Sequence, residues 1–437
     1  MAFYTIAKYL NEFGIKAENL PKELFDYIFL GIGNVEEVAT KSGLSKKLIE
    51  EMRREFLYWY PVDMRISAKE LLPNHLTFFI FHHVAIFPPE LWPRGVSVNG
   101  MLMVEGEKMS KSKGNFITLM KAIETYGADP TRCALLLAAE GMDDPDWRAK
   151  NVEDVRRNLE AFYNLAVKII GIDGGSKGHM EEWLISAIQR RIKQVSDAME
   201  ELKTRTAIEI AFYEVWKDIR WYLRRRIKPH AETLKKALSI WVRLMAPFTP
   251  HICEEIWSLM GEKTFVSIAK WPEYKKELIN SKAEETENLI MRVLEDTQNI
   301  IRVTGIKPKT IYYYVAAPWK WTVFTEALHL SLEGELSMKN LMPKLMEKEE
   351  LKPIASKIVK YAKETIEDIN YMPKERQENL LKAGVINEEE ILNNEKEFLS
   401  LELKAEIKVF REDAPEKYDP MGKSEQAKPF RPAIYIE

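Results

Sequence analysis

Between Gly106 and Gly114 the chain reads Glu107-Lys108-Met109-Ser110-Lys111-Ser112-Lys113. Lys108 and Lys111 stand three residues apart with hydroxyls beside them and glycine on both flanks. A loop of this composition presents ammonium groups and backbone N–H groups to a polyphosphate. The two lysines are placed to stabilise the charge that builds on a pyrophosphate leaving group. A given five-residue word arises by chance on the order of once in several thousand chains of this length. The alternative, a solvated Lys/Ser surface loop, is therefore the weaker reading.

A second constellation lies upstream, in Arg65-Ile66-Ser67-Ala68-Lys69-Glu70-Leu71-Leu72-Pro73-Asn74-His75. Here a short polar turn ends one element, and a histidine opens the next helix. A carboxylate such as Glu70 accepts from both hydroxyls of a ribose, and the start of a helix tolerates nearby phosphate. Without the lysine loop these residues would read as a solvent-facing Glu and a structural His. His82 and His83 read as structural.

These residues need a scaffold. Phe56–Tyr60 and Gly95–Asn99 predict short buried strands, and between them His75–Phe87 is apolar nearly all round. The order strand, helix, strand predicts half of a doubly wound nucleotide fold. Ahead of it, residues 1–17 predict a helix with Ala2, Ile6, Leu10 and Phe13 on one stripe, followed by short pieces broken at Pro21, Gly31 and Gly33. Residues 118–150, with Gly127-Ala128-Asp129 before an apolar run, predict a helical connector.

Beyond residue 150 the period changes to 3.6. Val152, Val155, Leu159, Phe162 and Ala166 form one stripe, and Phe212, Trp216, Ile219 and Leu223 another, which predicts a helix bundle. One more helix is expected over 280–304. Strands at 311–317 and 401–410 around a helical stretch of mixed charge then predict a small α+β domain. The expected division is 1–56, 57–117, 118–150, 151–285 and 286–437, and the fold class is α/β plus all-α.

A chain of 437 residues exceeds one compact core. Its 64 basic and 67 acidic residues give a net charge of −3, which excludes a uniformly basic nucleic-acid binder and leaves room for local basic faces. Lys217, Arg220 and Arg224 make one such face opposite the apolar stripe, at a spacing able to follow a phosphate backbone. A solvated helix face is the other reading. Lys307, Lys309 and Lys320 interleave with Tyr312, Tyr313, Tyr314, Trp319 and Trp321. The lysines are read as nucleic-acid contacts and the tyrosines as strand packing. Cys133 and Cys253 lack ligand spacing, so buried thiols are expected rather than a disulfide or a zinc site. No run of about 18 apolar residues occurs, so no membrane partner and a cytoplasmic location are expected. The Lys/Glu-rich, Cys-poor composition leans towards a thermophilic source.

The order YPVDMRISAKELLPNHLTFFIFHHVAIF, VNGMLMVEGEKMSKSKGN, GADPTRCALLL and DWR resembles class I aminoacyl-tRNA synthetases, and within them leucyl-tRNA synthetases of the archaeal/eukaryotic type. Downstream, LMAPFTPHICEEIW and FVSIAKWP resemble that family's anticodon-type bundle, and FRPAIYIE resembles its C-terminal end. The resemblance covers essentially the whole chain. It implies the C-terminal half of a Rossmann-type catalytic domain, a helix-bundle anticodon-binding domain and a small α+β C-terminal domain that reaches the long variable arm of tRNA. It further implies ATP with Mg2+, leucine and tRNA-Leu as substrates and partners, and no protein-held metal. By the same resemblance Lys108 and Lys111 are catalytic. Ser67, Ala68, Glu70, His75, Met109, Ser110 and Ser112 join Lys111 in binding ATP or adenylate. Lys217, Arg220, Arg224, Lys307, Lys309, Arg431, Ile436 and Glu437 contact tRNA.

Two departures matter. Ser67-Ala68-Lys69-Glu70 replaces the archaeal pattern Ser-Gly-Lys-Asp, adding a methyl near the nucleotide and lengthening the carboxylate by a methylene. The family's His-X-Gly-His turn is found nowhere among the seven histidines, and the editing insertion is missing. The resemblance therefore places Met1 downstream of half the catalytic domain. Adenylation needs both halves to hold its reactants in line. Leucylation is then expected to need an N-terminal half that is either missing or separate and supplied in trans, and is not expected from this chain alone. The rivals are a non-catalytic tRNA-binding subunit or remnant, and a class I synthetase for Val, Ile or Met. The tail and the lack of zinc-type cysteines argue against the latter.

Overall fold

The computed structural model describes residues 2–110, 112 and 114–437, which fall into two compact units. The first comprises residues 1–160 and 198–206, and the second residues 161–197 and 207–437.

The first unit opens with helices α1 (Ala2–Glu12), α2 (Lys22–Phe25), α3 (Val35–Ser42) and α4 (Lys46–Trp59). Asn34 caps α3 by accepting from the Glu36 N–H at 2.8 Å, and Ser45 caps α4 by accepting from Leu48 at 3.3 Å. Between them Gly43 takes φ 71°, the left-handed stop that glycine permits. Leu48, Ile49, Met52 and Phe56 are the buried face of α4. The expected strand at Phe56–Tyr60 is thus the last turn of a helix. Phe56 and Tyr60, four apart, are buried, while Leu57, Tyr58 and Trp59 are exposed. An aromatic run has strand composition, but its burial follows the helical period set by the Ser45 cap.

The strand that does precede the apolar helix is β1 (Arg65–Ala68), paired in parallel with β2 (Val96–Asn99). The latter matches the expected Gly95–Asn99, although its residues are half-buried or exposed rather than buried. Helix α5 (Thr77–Ile86) lies between them. Strand β3 (Met103–Val104) sits between β4 (Glu107–Lys108) and β5 (Asp146–Trp147), with α6 (Leu119–Tyr126) and α7 (Ala128–Ala138) in the connector.

Helix α8 (Ala149–Ile170) carries the stripe read from sequence, with Val152, Val155, Leu159, Phe162 and Ala166 all buried. Helices α9 (His179–Glu200), α10 (Thr204–Ile208), α11 (Val215–Arg225), α12 (Ala231–Met245) and α13 (Pro250–Leu259) follow. In the second unit Phe162 and Trp241 pack with tilted rings 4.4 Å apart, and Trp216 meets Trp241 edge-on at 5.7 Å. Helix α14 (Ser281–Thr304) then runs through the expected 285/286 boundary. Its Glu287 is fully buried and accepts from Arg225 Nε at 3.1 Å and Trp221 Nε1 at 2.8 Å, while Arg225 Nη1 reaches Glu395 at 2.6 Å. Bundle and C-terminal region therefore share one buried charge network.

The C-terminal sheet has β6 (Thr310–Val315) at its centre, parallel to β7 (Glu406–Arg411) and antiparallel to β8 (Ala433–Ile436). Parallel neighbours need a long crossover. Here it is α15 (Pro318–Leu332), α16 (Met338–Met346), α17 (Ala355–Asn370), α18 (Lys374–Ala383), α19 (Glu388–Asn394) and α20 (Lys396–Leu403). The expected strand over 401–410 begins late, because residues 401–403 end α20 and Lys404, at φ 53°, turns the chain into β7. Tyr313 and Tyr314 are fully buried in β6, and Tyr312 nearly so, as strand packing requires. Both cysteines are buried, and no disulfide joins them. No helix among the described residues is long and apolar enough to cross a membrane.

Candidate functional site

Strands β1 and β2 run in register from Arg65↔Val96 to Ala68↔Asn99, so both carboxyl ends share one edge. In open α/β sheets that edge is where ligands sit. The chain leaves β1 through a turn at Lys69–Leu71 and a five-residue wide turn at Leu72–Leu76. Ser67 and Ala68 are half-buried there, whereas Glu70 and His75 face solvent. His75 Nε2 lies 3.3 Å from Arg65 Nη2, a contact a neutral imidazole accepts.

Strand β2 runs into Gly100, where a Cβ would come within 2.0 Å of the Asp143 carbonyl oxygen, so only glycine fits. Then comes the hairpin β3–β4, pairing Met103 with Lys108 and Val104 with Glu107. Glu105 and Gly106, at φ 51° and 81°, make the two-residue turn whose twist suits a hairpin. Lys108 is exposed at the end of this ribbon, Met109 and Ser110 are half-buried, and Ser112 is exposed. Asn115 closes the loop. Its Oδ1 accepts from the Ser110 N–H at 2.8 Å, and its Nδ2 donates to the Lys108 carbonyl at 3.2 Å. The Ser110 and Ser112 hydroxyls are 2.7 Å apart. Lys111 lies outside the described residues.

Sequence reasoning missed the acidic stretch that holds these pieces together. Asp144 Oδ1 accepts from the Met101 N–H and from Lys69 Nζ, each at 2.7 Å, and Lys69 also donates to the Met142 carbonyl at 3.1 Å. One carboxylate thereby joins the turn bearing Glu70 to the segment entering the hairpin. The Lys69 ammonium, helped by the Met101 N–H, holds the Asp144 carboxyl below the usual range. Asp146 accepts from the Gly106 N–H at 2.9 Å and from Arg148 Nε at 2.7 Å, and these two lower its carboxyl likewise. Glu105 in turn accepts from the Ala149 N–H at 3.0 Å. The hairpin turn is thus tied at both of its residues, and the lysine loop springs from a fixed base. An Asp-Asp-Pro-Asp run reads as solvated loop from sequence. The signal that could have found it is the adjoining Trp147, buried on β5 beside β3.

In the second unit, Lys217 pairs with Glu214 at 2.5 Å and Arg224 Nε with Glu402 at 2.7 Å, while Arg220 is exposed. At the end of the C-terminal sheet the Lys309 and Thr310 N–H groups both donate to the Glu437 carbonyl, at 2.7 and 2.9 Å, and Ile436 pairs with Ile311. Lys307, Lys309, Ile436 and Glu437 therefore gather at one end of the sheet. Arg431 stands beyond the other end of β8 and lines, with Lys423 and Lys428, a cleft of about 450 Å³. Lys320 corrects the sequence reading. It is buried, with Nζ 2.5 Å from Glu412 and donating to the carbonyls of Glu425 at 2.8 Å and Ala427 at 2.6 Å, so it is a core cation and no nucleic-acid contact. Three acceptors around one ammonium meet the condition for burying it.

Residues 38–167 match the family model described as tRNA synthetases class I (M), and residues 181–313 match that of the anticodon-binding domain of tRNA ligase. The leucine–tRNA ligases of Methanosarcina mazei and Methanocaldococcus jannaschii are 40% and 42% identical to the chain across 100% of it, covering 45% and 44% of their own lengths. That of Pyrococcus abyssi is 42% identical, again over the whole chain and 45% of its own length. A solved ternary complex of Agrobacterium radiobacter K84 LeuRS with tRNA and LeuAMS aligns with 56% of this chain and 32% of its own, at TM-score 0.46 and 22% identity. Residues 38–167 thus match part of a class I tRNA synthetase catalytic domain and residues 181–313 an anticodon-binding domain. Along its whole length the chain is similar to leucine–tRNA ligases, and it spans a little under half the length of the curated relatives it matches.

Proposed function

We propose that the chain contributes the lysine-loop part of the active site, the anticodon-type bundle and the C-terminal tRNA-binding domain of a cytoplasmic leucine–tRNA ligase. That enzyme activates leucine with ATP and transfers it to tRNA-Leu. The observation that carries the reading is the tethered hairpin, which delivers Lys108 and the following loop from the carboxyl edge of a parallel strand pair, in a chain about 40% identical to leucine–tRNA ligases along its whole length.

In this reading the leucine carboxylate attacks the α-phosphorus of ATP and pyrophosphate leaves. Lys108 and Lys111 stabilise the departing charge, and Met109, Ser110 and Ser112 line the phosphate path. Ser67, Ala68, Glu70 and His75 hold the adenosine and adenylate side. Glu70, exposed beyond β1, is free to turn its carboxylate to a ribose. Magnesium would arrive on the triphosphate, the usual mode for this ion. Arg220, Lys307, Lys309, Arg431 and the end of the chain at Ile436 and Glu437 would meet tRNA, with Lys217 and Arg224 exchanging a carboxylate for a phosphate to do so.

The test is leucine-dependent ATP–pyrophosphate exchange and tRNA-Leu charging, with this chain alone and then mixed with a chain that carries a His-X-Gly-His half. Exchange is expected in the mixture and absent from the chain alone. Lys108→Ala is expected to lower exchange about 100-fold, the usual cost of removing one preorganised group from a developing charge. Salt-sensitive tRNA-Leu binding with no exchange in the mixture would overturn the catalytic part and leave a tRNA-binding module.

A further inference from the structure

Four non-glycine residues among those described take positive φ, and three of them, Glu105, Leu202 and Lys404, are exposed. The fourth, Phe430 at φ 62°, is buried. It stands in a two-residue turn closed from both sides. The Arg431 N–H donates to the Lys428 carbonyl at 2.8 Å, and the Lys428 N–H to the Arg431 carbonyl at 3.0 Å. Pro429 sets the first corner of this turn, and the second corner is the position that suits glycine or asparagine. A bulky side chain there strains the backbone, so other parts of the fold must hold it.

Three helices do so. The Phe430 ring meets Trp321 and Phe324 of α15 edge-on, with centroids 4.8 and 6.1 Å away. Its N–H donates to Glu388 at the start of α19 at 2.6 Å, and its carbonyl accepts from Arg292 Nη1 on α14. With ring, N–H and carbonyl all fixed, the path of the chain into Arg431 is fixed too. Strained residues that their surroundings over-determine in this way cluster at ligand clamps. Arg431 is exposed and faces the cleft of about 450 Å³ that Lys423, Lys428 and Asp296 also line. Lys428 is taken by Asp368 at 2.6 Å. Lys423, Arg431 and Arg292 have no salt bridge among the described residues. Burial, and then the neighbouring Arg376 and Arg431, push the Arg292 guanidinium down, against Glu285 and Asp296. Three unpaired cations around one lining carboxylate leave positive charge in surplus, and a guanidinium beside an ammonium is the complement of a phosphodiester.

We propose that this cleft takes one phosphate of the tRNA backbone between Arg431 and Lys423, and that Phe430 is the positioning residue that aims Arg431 at it. This subsite rests on the reading of the C-terminal region as tRNA-binding, and goes beyond it in naming what sets Arg431 in place. The strain at Phe430 is met when the chain folds, so the backbone of Arg431 needs no ordering when tRNA arrives.

Binding of tRNA-Leu to the full chain over a series of salt concentrations counts phosphate contacts, through the slope of log affinity against log salt. Arg431→Ala and Lys423→Ala are each expected to reduce that slope by about one. Phe430→Ala is expected to lose the same contact as Arg431→Ala, so the double variant should bind no more weakly than Arg431→Ala alone. A merely structural Phe430 would lower the denaturation midpoint and leave the slope of the folded protein at its wild-type value. That result, or a wild-type slope in Arg431→Ala, would overturn the subsite while leaving tRNA binding elsewhere intact. Failure of the wild-type chain to bind tRNA-Leu at any salt concentration would overturn the tRNA reading with it. Should Phe430→Ala not fold, Glu388→Ala loosens the same turn by removing the acceptor of the Phe430 N–H. Loss of an acid favours an anion through charge alone, so a reduced slope in Glu388→Ala is expected from the turn, and an unchanged one would overturn the positioning role.

Discussion

Helices α5 and α15 are both apolar on nearly every face, yet the chain buries one and exposes much of the other. In α15, Trp321, Val323, Phe324, Ala327, Leu328 and Leu330 are buried against the helices α16, α17 and α18, in one core with Ile311, Tyr313 and Val315 of β6. In α5, Phe79 and His83 are buried, with the His83 ring against Tyr60 and Phe87. Phe78 and Phe81, at 61% and 63%, and also Ile80, Val84 and Ile86 are exposed. A helix without a polar face belongs inside a core. The C-terminal region completes that core from its own residues. The described part of the first unit covers one side of α5 and leaves an apolar patch of the sort that marks an interaction surface. Under the proposed function this is the side towards which the rest of a nucleotide fold would pack.

The comparison is broken most directly in the well-covered region. Lys320→Ala removes the ammonium that serves Glu412 and two backbone carbonyls, leaving a buried carboxyl and orphaned acceptors. It should lower the stability of the C-terminal region by about 3–5 kcal/mol, the range for breaking a buried pair. The midpoint of chemical denaturation followed by Tyr and Trp signals would show it. Leu330→Ala on the same helix should cost about 2–5 kcal/mol, as lost transfer energy plus a cavity. A change of a few tenths in either variant would mean that α15 is less well covered than the structure shows.

Of the two helices only the apolar α5 was legible in the sequence, together with other parts of the fold. The stripe from Val152 to Ala166 and the helix over 281–304 announce themselves by period, and the lysine loop by its residues. The strand misplaced at Phe56–Tyr60 shows where composition fails. Aromatic density says strand, and only the Ser45 cap, eleven residues upstream, sets the helical phase that exposes three of the five. Lys320 fails for another reason. Its partners Glu412, Glu425 and Ala427 lie about a hundred residues away, and no local pattern reveals a long-range ion pair. Asp144 was hidden likewise, since its value lies in joining Lys69 to Met101 across some forty to seventy residues.

A smaller effect separates the two regions by pH. The Glu388 carboxyl is raised from its ordinary 4.5 to about 8 in the folded chain. Between these values the folded state keeps a proton that the unfolded state has lost, so its contribution to stability is full below about 4.5 and is lost as pH rises through about 8. The slope is at most about 1.4 kcal/mol per pH unit. Stability of the C-terminal region should therefore fall from pH 6 to 8 in the wild-type chain, and this fall should flatten in Glu388→Gln. A wild-type profile that is flat or rises over that window would show that Glu388 is ionised when folded.

The smallest expected effect lies on α5. Phe81→Ser removes a large ring from a position that is already 63% exposed, so little transfer energy is lost and no cavity forms. Serine and phenylalanine have similar helix propensity, so the stability of the isolated chain should change by no more than about 0.5 kcal/mol, the usual range for a surface substitution. The matched pair Phe81→Ser and Leu330→Ala thus turns the difference between two similar helices into a difference of several-fold in measured stability. If Phe81→Ser costs as much as Leu330→Ala, the exposed face of α5 is covered in solution by the isolated chain itself, and self-association measured by sedimentation would then show whether a second copy supplies the cover.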